Sequence, residues 1–193
     1  MASDLDYLAA RLHGRRSSMA EGERLDALCR IRSLPDFTRA IFPEREFGTV
    51  GDFQRQLVEE VIRELSGLPA HLSREQARLV EWMLTRLEVE NLKILLRACI
   101  TKVPLEEVTE HLVFLPRQTV AQVEALRSAG SPVDFARLLK LGSLRKSLED
   151  AVREWGEDAR PFFFEAALDR GYLQELLARL RLLSSGDQEE TGA

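Results

Sequence analysis

Residues 85–98 read TRLEVENLKILLRA, a strongly helical run that sets an asparagine among its apolar side chains. Projected at about 100° per residue, Val80, Met83, Leu84, Leu87, Ile94, Leu95 and Ala98 share one face, and Asn91 falls within it. Trp82, Val89, Leu92 and Leu96 form a second stripe nearly opposite. Charges are confined to two seams, Glu81 and Glu88 on one side and Arg86, Glu90, Lys93 and Arg97 on the other. A surface helix needs a single apolar stripe, so a helix with two is sandwiched between partners. Asn91 buried there without hydrogen bonds would cost about 1–3 kcal/mol, so it must have partners. Two readings are open. Asn91 bonds a backbone carbonyl at a helix crossing, with Arg97 paired to a carboxylate such as Glu90, or the seam touches another protein chain.

The rest of the chain also reads as helix. Ser73–Gln76 and Thr119–Gln122 fit the S/T-x-x-E/Q capping box, and Ser131-Pro132 places a cap before a first-turn proline. Asp52 is a candidate cap for the helix over 53–65, and Gly130 and Gly156 are candidate stops. These signals predict helices near 3–14, 22–32, 34–42, 52–66, 74–100, 104–111, 120–129, 132–140, 143–155, 161–170 and 172–183, with 74–100 the longest. The β-like patches at 47–50 and 113–115 are too short to build a sheet. The fold class is therefore all-α. Asp36-Phe37-Thr38-Arg39-Ala40-Ile41 is echoed by Asp134-Phe135-Ala136-Arg137-Leu138-Leu139, each after an Arg-Ser pair. The echo predicts a bundle of repeated units, one complete over 1–102 and a second, incomplete one over 103–183, since no second long helix is evident. The polar end, 184–193, is expected to be disordered.

Candidate chemistry is sparse. His13, His71 and His111 are far apart and lack a His or Cys three or four residues away, so no metal site is expected. No nucleophile elbow, phosphate-cradling glycine loop or dinucleotide fingerprint occurs, so neither catalysis nor a cofactor is expected. Glu59-Glu60, Glu106-Glu107 and Glu110 read as solvated helix faces. A net charge of −5 argues against nucleic-acid binding. Cys29 and Cys99 form no CxxC pair, and no signal-peptide core opens the chain, which fits a reducing cytoplasm. Nothing approaches the roughly 18 uninterrupted apolar residues of a membrane span. Phe162, Phe163 and Phe164 cannot share one helix face, so at least one points away from its own core. Leu173, Leu176, Leu177 and Leu180 recur with the spacing of a buried face. Both groups serve either internal packing or a partner, including a second copy of the chain.

Four segments together carry a resemblance. EVENLKILLRA (88–98) resembles the D/E-x-x-N-L-K-x-x-x-R-A motif of the C-type subunits of V-type and A-type rotary ATPases, the d-type subunits of eukaryotes. YLAARLHGRRSSM (7–19) is similar to that family's opening helix and its Arg-rich turn, and 28–48 to its short-helix segment. FFFEAALDRGYLQELL (162–177) is similar to a helix with E-x-x-L-D, then Tyr, then paired Leu. The resemblance spans roughly 5–183. It implies an all-helical, funnel-like architecture of three similar units, truncated here. It also implies a non-catalytic role, coupling the central stalk to the membrane proteolipid ring in proton or sodium transport. Asn91, Lys93 and Arg97 would then be the structural motif. The partners would be the other ATPase subunits, and attachment to the membrane would be peripheral, from the cytoplasm. The alternative is a free-standing helical adaptor derived from the same fold.

Overall fold

Serine and threonine side chains open the helices of the computed structural model, which describes residues 2–104, 107–108, 111–113 and 120–190. Every regular element among these is helical. The expected Thr119–Gln122 box, the helix over 104–111 and the patch over 113–115 lie wholly or partly outside the described residues. Two compact units result, Met1–Leu72 and Ser73–Ala193.

The first unit contains α1 (Ala2–Ser18), α2 (Glu23–Arg30), α3 (Leu34–Ile41) and α4 (Val50–Gly67), followed by a 3-10 turn over Pro69–His71. Ser33 caps α3 by accepting from Asp36 N–H at 3.3 Å. Asp52, expected to cap α4, sits three residues inside it. Thr49 is the cap, and its hydroxyl accepts from Asp52 N–H at 3.1 Å while donating to the Asp52 carboxylate at 2.8 Å. The β-like stretch at 47–50 is a bend leading into this helix. Phe37, Phe42 and Phe47 each meet the Phe53 ring edge-on, at 5.5–5.9 Å between centroids. Only Phe53 among these four is buried, alongside Thr38, Gln56 and Ile62.

The second unit holds α5 (Arg74–Thr101), α6 (Val120–Arg127), α7 (Pro132–Leu138), α8 (Gly142–Trp155) and α9 (Pro161–Glu190). Both halves of the Ser73–Gln76 capping box are formed. Ser131 caps α7 as expected, and Gly156 closes α8 with φ 78°. At the end of α5, Lys102 turns left-handed and donates to the Gly130 carbonyl at 2.9 Å. The core is dense. Val89, Leu92 and Leu96 of α5, Phe135 of α7, Leu144 and Leu148 of α8, and Phe164 and Leu168 of α9 are all sealed from solvent. Each contributes about 1.5–3 kcal/mol of burial.

Two expectations need correction. The break expected at 170–172 is absent, and α9 runs unbroken through Gly171 and on to Glu190, so residues 184–190 are helical rather than disordered. Gly171 serves packing instead. A Cβ there would stand 2.8 Å from the Ser143 carbonyl oxygen and 3.1 Å from Leu144 Cα, so α8 crosses at a distance that only glycine permits. At 30 residues α9 also exceeds α5, at 28. Among the described helices, two short ones, one of medium length and one long follow in order as α2–α5 and again as α6–α9, with α9 in the place where no long helix was expected. The compact units divide at 72/73, with α5 burying its faces against α7 and α9.

Candidate functional site

Asn91 is 3% exposed. Its amide clasps the main chain beyond α5, donating to the Val113 carbonyl at 2.5 Å and accepting from Val113 N–H at 2.9 Å. A primary amide reproduces the donor–acceptor pair of a peptide group, so one side chain satisfies both backbone groups of a residue without secondary structure. The apolar stripes around it are only partly enclosed. Met83 is exposed, whereas Trp82, Val89, Leu92, Leu95, Leu96 and Ala98 are buried. Trp82 stacks on Tyr172 of α9 at 12° between planes, and its indole N–H donates to the Tyr172 carbonyl at 3.1 Å.

The charged seam of α5 meets two carboxylates of α9. Arg97 makes a two-pronged contact with Glu165, 2.8 Å at each oxygen. Glu90, the partner expected for Arg97, instead takes Arg86 and Lys93. Asp169 receives both Arg86 and, at 2.8 Å, Lys93. Burial works to raise the Asp169 pKa, but the Lys93 and Arg86 hydrogen bonds prevail and hold it below its usual range. Individually, half-exposed pairs of this kind are worth little. Together, four α5 charges at helical spacing and two α9 carboxylates fix how the two long helices register. Glu165 and Asp169 are the E and D of the E-x-x-L-D pattern, but sequence reasoning gave them no role. The legible signal was their four-residue spacing, which puts both on one helix face.

A family model described as ATP synthase (C/AC39) subunit matches residues 8–191. The chain belongs to this family of V/A-type ATPase subunits. A comparison with curated proteins gave no match. Within this C/AC39 protein, Glu90, Asn91, Lys93 and Arg97 lie in 88–98 and Glu165, Asp169 and Tyr172 in 162–177, two of the four segments that resemble the family, with Arg86 just before the first. The first segment supplies the clasp and two of the three cations, the second the carboxylates.

The remaining candidates divide by helix face. Phe164 is sealed in the core, while Phe162 is exposed and Phe163 lies at the margin. Leu176 is half-buried against the core, whereas Leu173, Leu177 and Leu180 are exposed. Tyr172 and Leu168 hold the inward side. The spacing read as a buried face is therefore mostly the outer face of α9, because α5 and α8 approach from its other sides. Among the described residues, no helix is long and apolar enough to cross a membrane, and no group of three His, Cys, Asp or Glu stands ready to hold a metal ion.

Proposed function

We propose that this C/AC39 protein is the non-catalytic link between the central stalk of a rotary ATPase and its membrane proteolipid ring. ATP chemistry belongs to other subunits, and the chain attaches to the membrane from the cytoplasm through the complex, not by a span of its own. One observation carries the reading. The family-like segments converge on a mechanical junction, in which Asn91 clasps Val113 while Arg86, Lys93 and Arg97 register α5 on α9. Torque transfer requires elements that do not slide, and paired long helices with fixed register meet that need. The outer face of α9, with Phe162, Leu173, Leu177 and Leu180, is the surface offered to a neighbouring subunit.

Affinity capture of the tagged full chain from native membranes tests this. Catalytic and proteolipid subunits should co-purify, and Leu173→Glu/Leu177→Glu should reduce their recovery while the protein stays folded. Calorimetry should detect no micromolar ATP binding. Capture free of every ATPase subunit would favour a free-standing adaptor, and recovery of a second copy alone would make the α9 face a self-association surface.

A further inference from the structure

Where α8 gives way to α9, three aromatic rings stand at the surface: Trp155 at 38% exposure, Phe162 at 69% and Phe163 at 36%. They form a chain of contacts, 4.9 Å between the Trp155 and Phe163 centroids and 5.8 Å between Phe163 and Phe162. The corner is fixed from below. Phe164 is fully buried, Gly156 turns the backbone at φ 78°, and Phe163 N–H donates to the Arg160 carbonyl at 3.0 Å. Rings held this way lose little freedom on binding, which is why such clusters dominate interface energetics.

The charges around them are unusual for this helix. Elsewhere on α8 the carboxylates are matched, Glu149 by Arg145 and Asp150 by Arg153. Glu154, Glu157 and Asp158, which lie before and between the rings in sequence, are exposed and have no ion pair among the described residues. Arg160 is the single cation in that connection, against Glu157 and Asp158 there and Glu154 at the end of α8.

We propose that this corner docks a cationic protein segment, in which an arginine or lysine beside apolar residues lies on the Trp155–Phe163–Phe162 rings. Ring faces attract cations, and the surplus carboxylates both steer the partner and neutralise it. The same surplus repels anionic lipid headgroups, which argues for protein over membrane. The inference rests on the functional reading above, because the partner is taken to be another ATPase subunit.

The test places a photo-crosslinking benzoylphenylalanine at Phe162 of the full chain, bound to native membranes. The captured segment is then sequenced. Support requires an ATPase subunit with Lys or Arg within one helical turn of the crosslink. It also requires Glu154→Gln/Glu157→Gln/Asp158→Asn to lower the yield by at least about five-fold, an effect that added salt should mimic. These isosteric changes at exposed sites leave folding intact. A crosslink to lipid, to an acidic segment or to a second copy overturns the proposal, as does a yield indifferent to the carboxamides. If the wild-type chain carries no ATPase subunit at all in the affinity capture, the functional reading itself has failed, which is a separate and recognisable result.

Discussion

The Ser-x-x-Asp-Phe turn occurs once in each unit, and only one of the two phenylalanines becomes core. The local chemistry is the same. Ser33 and Ser131 each accept from the aspartate N–H at 3.3 Å and donate to the aspartate carboxylate, and each aspartate meets the arginine three residues on. Phe135 is nonetheless fully sealed, while Phe37 stays half-exposed beside Phe53. In the second unit α5, α6 and α8 close around the turn. The first unit has four short or medium helices and keeps Leu12, Leu25, Val50 and Val61 in solvent. A cap motif decides where a helix begins. The elements around it decide what that helix buries.

The largest expected difference tests this directly. Phe135→Ala should cost about 3–5 kcal/mol, and Phe37→Ala roughly 1–2, because a half-exposed ring leaves a smaller cavity. Both tryptophans, Trp82 and Trp155, lie in the second unit, so their fluorescence follows that unit in urea while circular dichroism follows both. Equal losses at the two phenylalanines would show the units to be packed alike.

Two glycines sharpen the contrast by sign. Gly171→Ala should cost about 1–3 kcal/mol, since backbone atoms of α8 occupy the space of the new methyl. Gly14→Ala, on α1 with nothing within 4 Å, should instead gain roughly 0.5–1 kcal/mol from helix propensity and a less disordered unfolded state. Thermal melts should move in opposite directions. If both variants gain, α8 and α9 have room to part, and the dense unit is softer than its packing indicates.

What the sequence made legible follows the same division. The starts at Ser73 and Ser131 and the stop at Gly156 are local chemistry, and they were readable. A break at Gly171 was wrongly expected because a glycine inside a helix looks the same whether it ends the helix or admits a neighbour. Only the position of α8 distinguishes the two. Asp52 and Thr49 are both good cap residues three positions apart, and the structure uses both in one reciprocal contact. For the junction, burial of Asn91 was inferable from the two stripes, but its partner in a loop was not. Arg97 had a carboxylate within reach on its own helix, and nothing local indicated that Glu165 on α9 would present two oxygens in better geometry.

The cap serines provide a control in which the units should agree. Ser33→Ala and Ser131→Ala each remove one bond to an orphan helix N–H, at a cost of about 1 kcal/mol. Because that bond is local, the two losses should match despite the difference in surrounding core. A markedly larger loss at Ser131 would mean that packing strengthens the cap, and the separation of local from tertiary effects would have to be abandoned.

The smallest effect is a slope with pH, and it distinguishes one carboxylate of each unit by mechanism. In the first, the Arg63 hydrogen bond holds Glu60 below the usual carboxylate value near 4.5, against a slight desolvation. In the second, burial pushes Glu88 above that value, and Lys140 opposes only in part. The signs are opposite. A carboxylate lowered by folding adds stability above its unfolded pKa, and that contribution is lost as pH falls through the folded value. A carboxylate raised by folding carries a penalty at neutral pH, which disappears as acid protonates it in the folded state and then, below its unfolded pKa, in both states. Glu88→Gln should therefore stabilise the protein near pH 7 and approach wild type toward about pH 3.5. Glu60→Gln should destabilise slightly near neutrality, and its effect should also vanish in acid. Asp169 shares the second unit and loses its contribution in acid, but it is present in both wild type and Glu88→Gln, so the difference between their curves removes it. Paired urea titrations across that range measure the two slopes. A destabilising Glu88→Gln at neutral pH would mean that attraction to Lys140 outweighs burial, and Glu88 would then be governed by pairing, as Glu60 and Asp169 are.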